Sequence, residues 1–92
     1  MSVSKIHELK CLQQFFEAIL GGHKTFEVRF NDRGYGVGDS LRLKEYRLGT
    51  QGYTGRSLTC RVTYILAGPS FGVDSGFVVM AIADVCETEA RS

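Results

Sequence analysis

The sequence predicts an α+β fold, mainly β: a small, partly closed barrel of about five strands with one packed helix. Three observations lead there. Apolar and polar residues alternate with period two in several short runs, as half-buried strands require. One run keeps helical spacing instead. Glycine-rich turns separate the runs, with 11 glycines in 92 residues, and closing such a sheet hides its edges.

In chain order, residues 3–10 read as a short strand or extended entry, with His7 and Lys10 as its polar residues of interest. Leu12, Phe15, Phe16, Ile19 and Leu20 then recur at i, i+3, i+4, i+7 and i+8. That is one apolar stripe on an amphipathic helix, and it assigns both phenylalanines to the core. No strong N-cap precedes it. Gly21-Gly22 supplies a left-handed residue to end it, and His23 and Lys24 complement its negative end. Residues 25–30 form the next strand. Its apolar face, Phe26, Val28 and Phe30, is expected to be buried, and Thr25, Glu27 and Arg29 to lie on the other.

Residues 31–39 are a turn-rich loop without the ending of a phosphate-binding loop. A strand follows over about 40–46. Residues 47–56 form a second polar loop carrying Tyr53, Thr54 and Arg56. Leu58, Cys60, Val62, Tyr64 and Leu66 share one face of the longest strand. Residues 68–76 are a third loop. Phe77 to Ala83 is apolar throughout, a strand buried on both faces. An acidic tail from about residue 85 is expected to fray. Nothing repeats and no linker intervenes, so residues 1–92 read as a single domain.

Net charge is +1, so bulk charge names no partner. Its distribution is uneven, +4 over residues 1–66 and −3 over residues 67–92. A basic body suits an anionic ligand, and chance alone also produces such an asymmetry at this length. Cys11, Cys60 and Cys86 are odd in number and lack metal-ligand spacing, so neither a disulfide scaffold nor a metal site is expected, and no cofactor is called for. Free thiols fit a reducing cytoplasm. The N-terminal residues have no apolar signal core, and no apolar run approaches the roughly 20 residues that span a bilayer. The expectation is a soluble, cytoplasmic protein with no membrane partner.

Chemistry concentrates between Gly22 and Arg33. Arg29 and Arg33 carry forked donors suited to phosphate. Lys24 is a mobile point charge, and Glu27 accepts from a base or a ribose hydroxyl, or takes a proton as a general base. Tyr53 and Tyr35 offer rings for stacking. Glu27 and Arg29 also fit a plain ion pair on a solvated strand face.

The run Gly22-x-Lys24-x-x-Glu27-x-Arg29, between an amphipathic helix and a glycine-rich loop, resembles the signature of the ASCH domains of the PUA-like superfamily. Further matching text is His7-Glu8-Leu9-Lys10, Asn31-Asp32-Arg33, Val37-Gly38-Asp39 and Tyr53-Thr54-Gly55-Arg56. With it the likeness extends from about His7 to Ala83, toward a short branch found in bacteria and phages. The resemblance implies a pseudobarrel with a cleft beside the helix, lined by the signature's Lys, Glu and Arg. It implies binding of RNA or of a modified nucleotide, and with the residues read above the candidate binding set is Lys10, Lys24, Glu27, Arg29, Arg33, Tyr53 and Arg56. Some relatives resemble amidohydrolases of an acylated cytidine, and others are described as ribonucleases. Lys24 matches the amidohydrolases' lysine, whereas Glu27 stands where they carry threonine. If the chain is an enzyme, Lys24 and Glu27 are its catalytic candidates. A third reading is a protein-interaction domain.

Overall fold

The computed structural model describes residues 4–49 and 52–88. The order is β-α-β-β-β-β, as the sequence predicts. β1 (Ile6–Leu12), β2 (Phe26–Phe30), β3 (Ser40–Arg47), β4 (Gly52–Ala67) and β5 (Phe77–Thr88) form one sheet in the order β1-β3-β4-β5-β2. β1 runs parallel to β3, and the other pairings are antiparallel. The sheet curls into a half-barrel, so its edges β1 and β2 approach each other without pairing. The core fills the concave side, with Leu41, Leu43, Leu58, Val62 and Met80 fully buried.

The helix α1 (Gln13–Leu20) presses Phe16 and Ile19 into that core. Burying the two contributes about 3–6 kcal/mol. Phe15, expected beside them, is exposed instead. Eight residues make little more than two turns, so the inward stripe is narrow. The helix end behaves as Gly21-Gly22 foretells. Gly22 adopts φ +80°, its N–H donates to Ile19, and His23 N–H donates to Ala18 at 2.9 Å. These two bonds define a Schellman closure. Lys24 N–H also donates to Ala18, so the cap fixes where Lys24 enters β2.

Four further expectations, all about the strands, need correction. First, β2 is inverted. Glu27 is 3 % exposed while Phe30 is 55 % exposed, and Phe26 and Val28 are exposed as well. Register with β5 sets this phase: Glu27 lies opposite Met80 and Arg29 opposite Val78, both inward residues. Second, β4 begins at Gly52, so Tyr53, Thr54 and Arg56 are strand residues rather than loop residues. Residues 50 and 51 of the expected loop lie outside the described residues.

Third, β4 does not keep one phase. A register shift between Val62 and Tyr64 leaves Tyr64 exposed while Ile65 packs on the core. Fourth, β5 is buried on one face rather than both, with Val78, Met80 and Ile82 inward and Phe77 exposed, and it continues past Ala83 to Thr88, which pairs with Ser57. Strand thus replaces the fraying expected from residue 85. Residues 89–92 of the expected tail, like Val3 of the expected first strand, lie outside the described residues.

His7 and Tyr35, both raised as site candidates, serve the fold. His7 Nε2 meets Asp39 Oδ2 at 2.9 Å, and both groups are buried. Tyr35 packs edge-on against the His7 ring, with centroids 4.8 Å apart. Burial pushes the Tyr35 phenol above its ordinary value. Asp39 also accepts from the N–H groups of Lys5 and Gly36. This carboxylate staples the 31–39 loop to the start of β1. Burial works against its charged form, but the bonds from His7, Lys5 and Gly36 outweigh that and hold its pKa below 3.8, the ordinary value.

A depressed carboxylate pKa stabilises the fold above the unfolded value, and that stability fades as pH falls through the folded one. Wild-type protein is therefore expected to lose stability progressively below about pH 4. The Asp39→Asn variant should start less stable at neutral pH and lack that part of the acid loss. Urea titrations across this pH range check it, and parallel acid profiles for the two proteins would refute it.

Candidate functional site

The half-barrel leaves a seam between β1 and β2. The outer edge of β1 has carbonyls with no strand to answer them. Side chains from the other bank supply donors. Arg29 Nη2 donates to the Lys10 carbonyl at 2.8 Å, and Arg33 Nη1 to the Glu8 carbonyl at 3.2 Å. The phase of β2 that its register with β5 sets serves this bridging. The polar face of β2 looks across the seam, which leaves the apolar face outside. There Phe30 packs edge-on against Phe77, and the Lys24 ammonium lies 4.9 Å from the Phe26 ring centroid.

At the helix end of the seam lies a cleft of about 450 Å³. Lys10 comes from β1, Phe15 from α1, Lys24 from the junction after the Schellman turn, and Glu27 and Arg29 from β2. Glu27 is the hub. Its Oε2 takes the Lys24 ammonium at 2.6 Å, and its Oε1 takes Arg29 Nε at 3.0 Å. Lys24 also donates to the Phe26 carbonyl. Lys24 and Arg29 against one carboxylate leave a surplus of one positive charge, and the Lys10 ammonium, over the Tyr46 ring, adds another at the rim. Lys24 retains one N–H without a bond among the described residues, and Arg29 Nη1 makes none. The site therefore presents oriented donors to an incoming anion and stays neutralised beneath them.

Cys11 also borders the cleft, but burial and then the Glu27 carboxylate push its thiol up to about 11. Cys60, behind it, is pushed by burial to about 12. Neither is a thiolate near neutral pH, so neither is a nucleophile.

Three of the seven proposed binding residues thus meet through their side chains, Lys24, Glu27 and Arg29, and Lys10 joins them through its carbonyl. Arg33 lies further along the seam. Tyr53 and Arg56 line a second hollow with Glu8, Arg42, Lys44 and Glu45. Arg56 is held by Glu17 at 2.9 Å and Glu87 at 3.1 Å, and these bonds raise its pKa. Sequence reasoning missed Phe15, Cys11 and Glu45. Glu45 had a signal, since it continues the inward phase of Leu41 and Leu43 and so places a charge at a core position.

Fold and site together define a small β half-barrel domain whose seam holds a cationic cleft around a buried carboxylate. The chain belongs to the family described as Domain of unknown function (DUF3850), whose sequence model matches residues 6–82. It is also 41 % identical over 61 residues to the "Uncharacterized 12.9 kDa protein in GpA 3'region" of Escherichia phage P2. The match covers 66 % of this chain and 54 % of the phage protein, so the chain spans about half the length of that relative. Among the described residues no helix is long and apolar enough to cross a membrane.

Removing Glu27 would leave two partly buried cations facing each other. Glu27→Ala is expected to cost about 2–4 kcal/mol of stability. Lys24→Ala should cost less, because Arg29 still neutralises the carboxylate. Denaturant unfolding of the two variants tests this, and equal losses would contradict the hub role.

Proposed function

We propose that the domain binds nucleic acid, RNA above all, or a modified nucleotide, through the cleft at the seam. The observation that carries this reading is the surplus of positive charge that Lys24 and Arg29 leave around one buried carboxylate, with the Lys10 ammonium beyond at the rim. Unspent N–H donors of Lys24 and Arg29 suit phosphate oxygens. Glu27 suits the donor edge of a base or sugar, and Phe15 provides an apolar wall. The resemblance to ASCH domains supports the same assignment, because its signature lysine, glutamate and arginine are the groups that converge. Buried reduced thiols at Cys11 and Cys60 agree with work in the cytoplasm.

Hydrolysis is the weaker alternative. Both Glu27 oxygens are occupied by cations that must give way before the carboxylate receives a proton.

Fluorescence anisotropy with a labelled RNA oligonucleotide tests binding. With about three phosphates neutralised, affinity should fall roughly 20-fold between about 50 mM and about 200 mM salt. Lys10→Ala should weaken binding and flatten the salt dependence by about one contact. The Lys10 side chain makes no ion pair among the described residues and only an exposed cation–π contact with Tyr46, so this variant should lower the melting temperature by no more than a few degrees. Salt-insensitive binding, or a Lys10 variant indistinguishable from wild type, would sink the proposal.

A further inference from the structure

The outer face of the sheet is not uniform. On β1 and β3 it carries Glu8, Arg42 and Lys44, and both cations lie within 4 Å of the Glu8 carboxylate. A solvated face has that character. Further across, over residues 64–66 of β4, 77–81 of β5 and 26–30 of β2, the outward positions carry no charge. Register gives their layout in three rows. The first is Phe26, Ala81 and Tyr64, side by side on β2, β5 and β4. The second is Val28, Val79 and Leu66. The third is Phe30 beside Phe77. Charge returns only at the border, with Lys24 beside Phe26 and Arg61 paired to Asp84.

This face is open. Phe26, Val28, Phe30, Tyr64 and Phe77 are between 38 % and 65 % exposed. Together they show roughly 500 Å², at about 200 Å² for a whole aromatic side chain. A patch of that size marks an interaction site. A standard interface takes about 800 Å² from each partner, and in homodimers about 65 % of that is apolar, again roughly 500 Å². The sequence of β5 agrees. It is apolar on both faces, and the fold covers only the inner one.

The outermost strands offer no other route to association. β1 and β2 face each other across the seam, where Arg29 and Arg33 reach the Lys10 and Glu8 carbonyls. Face-to-face packing remains, and the layout is complementary to itself. A two-fold axis lying along the row of Val28 and Val79 sets each of these against its own copy. It exchanges the rows on either side, so the small Ala81 of one copy meets the large Phe77 of the other, and Phe26 meets Phe30. The strands of the two sheets then lie aligned to within about 30°, the usual geometry of stacked sheets. A face without charge meets its own copy with no like-charge repulsion, and the charged border forms the polar rim that interfaces carry.

We propose that the outer face of β2, β5 and β4 is a homodimer interface, in which a second copy of this chain packs on it about a two-fold axis through Val28 and Val79. Phe26 and Val28 also line the cleft. The axis leaves the dimer past β2, so the two clefts open on the same side. The inference stands on the apolar face alone and does not require the nucleic-acid reading.

Sedimentation equilibrium of the full chain, from about 1 µM to about 500 µM, tests it. Wild type should pass from monomer to dimer within this range. Val28→Lys and Val28→Glu each set like charges against one another on the axis, and each should weaken dimerisation about 100-fold. An equimolar mixture of the two should regain association to within about tenfold of wild type, because opposite charges then meet. Tyr64→Asp, two strands away from the cleft, should weaken dimerisation about tenfold. These side chains point outward, and circular dichroism with a thermal melt establishes that each variant is folded.

Wild type that stays monomeric throughout overturns the proposal, as do folded Val28 variants that associate like wild type. A mixture of the two variants that remains monomeric refutes the two-fold arrangement. If monomeric wild type instead floats with phosphatidylcholine vesicles, the face belongs to a lipid surface and the dimer is refuted.

Discussion

The carboxylate of Glu27, clamped between Lys24 and Arg29, is the constraint on which the rest of the architecture turns. Five strands that curl but do not close leave two edges facing each other. Arg29 spans that gap to the Lys10 carbonyl. A guanidinium held there, among groups largely shielded from water, needs a counter-charge close by. Glu27 supplies it and holds the Lys24 ammonium as well. Register with β5 turns this face of β2 inward, and the clamp puts it to use. The same groups that join the two banks therefore also make the opening polar.

The helix contributes position more than mass. Its core contribution is essentially Phe16 and Ile19. Its larger service lies in how it stops. The left-handed turn at Gly22 and the bonds back to Ala18 aim the next residues at the seam. A longer helix without this stop would carry Lys24 away from Glu27. The staple at Asp39 does the matching job on the other side, tying the loop before β3 to the start of β1.

Much of the fold was legible because it depends on short-range periodicity. The β-α-β-β-β-β order, the helix bounds and the Gly21-Gly22 stop follow from spacing and turn chemistry. What failed depends on partners. Period two states that Phe26, Val28 and Phe30 share a face, but which face goes inward is set by register with β5. The phase change at Val62 and Tyr64, and the bulge opposite Glu45, arise only when two strands are paired. Of the site, the grouping of Lys24, Glu27 and Arg29 was readable from two-residue and three-residue spacing. The arrival of Lys10 was not, since β1 lies at the opposite end of the sheet order and comes near only through curvature. Tyr53 and Arg56 were placed on a loop because glycines at 49, 52 and 55 resemble turn punctuation. In the structure the last two of these belong to a bulged strand.

Closure by side chains has an evolutionary corollary. A main-chain ladder is indifferent to residue identity, so a barrel sealed that way keeps its outline through most substitutions. Here two arginines do the sealing, at positions 29 and 33. A single codon change at Arg33, which stands outside the Glu27 clamp, redraws the seam without touching the backbone pairing of the sheet behind it. The scaffold is thus separable from its gate, and descendants of this domain could diversify what passes the gate without relearning how to fold.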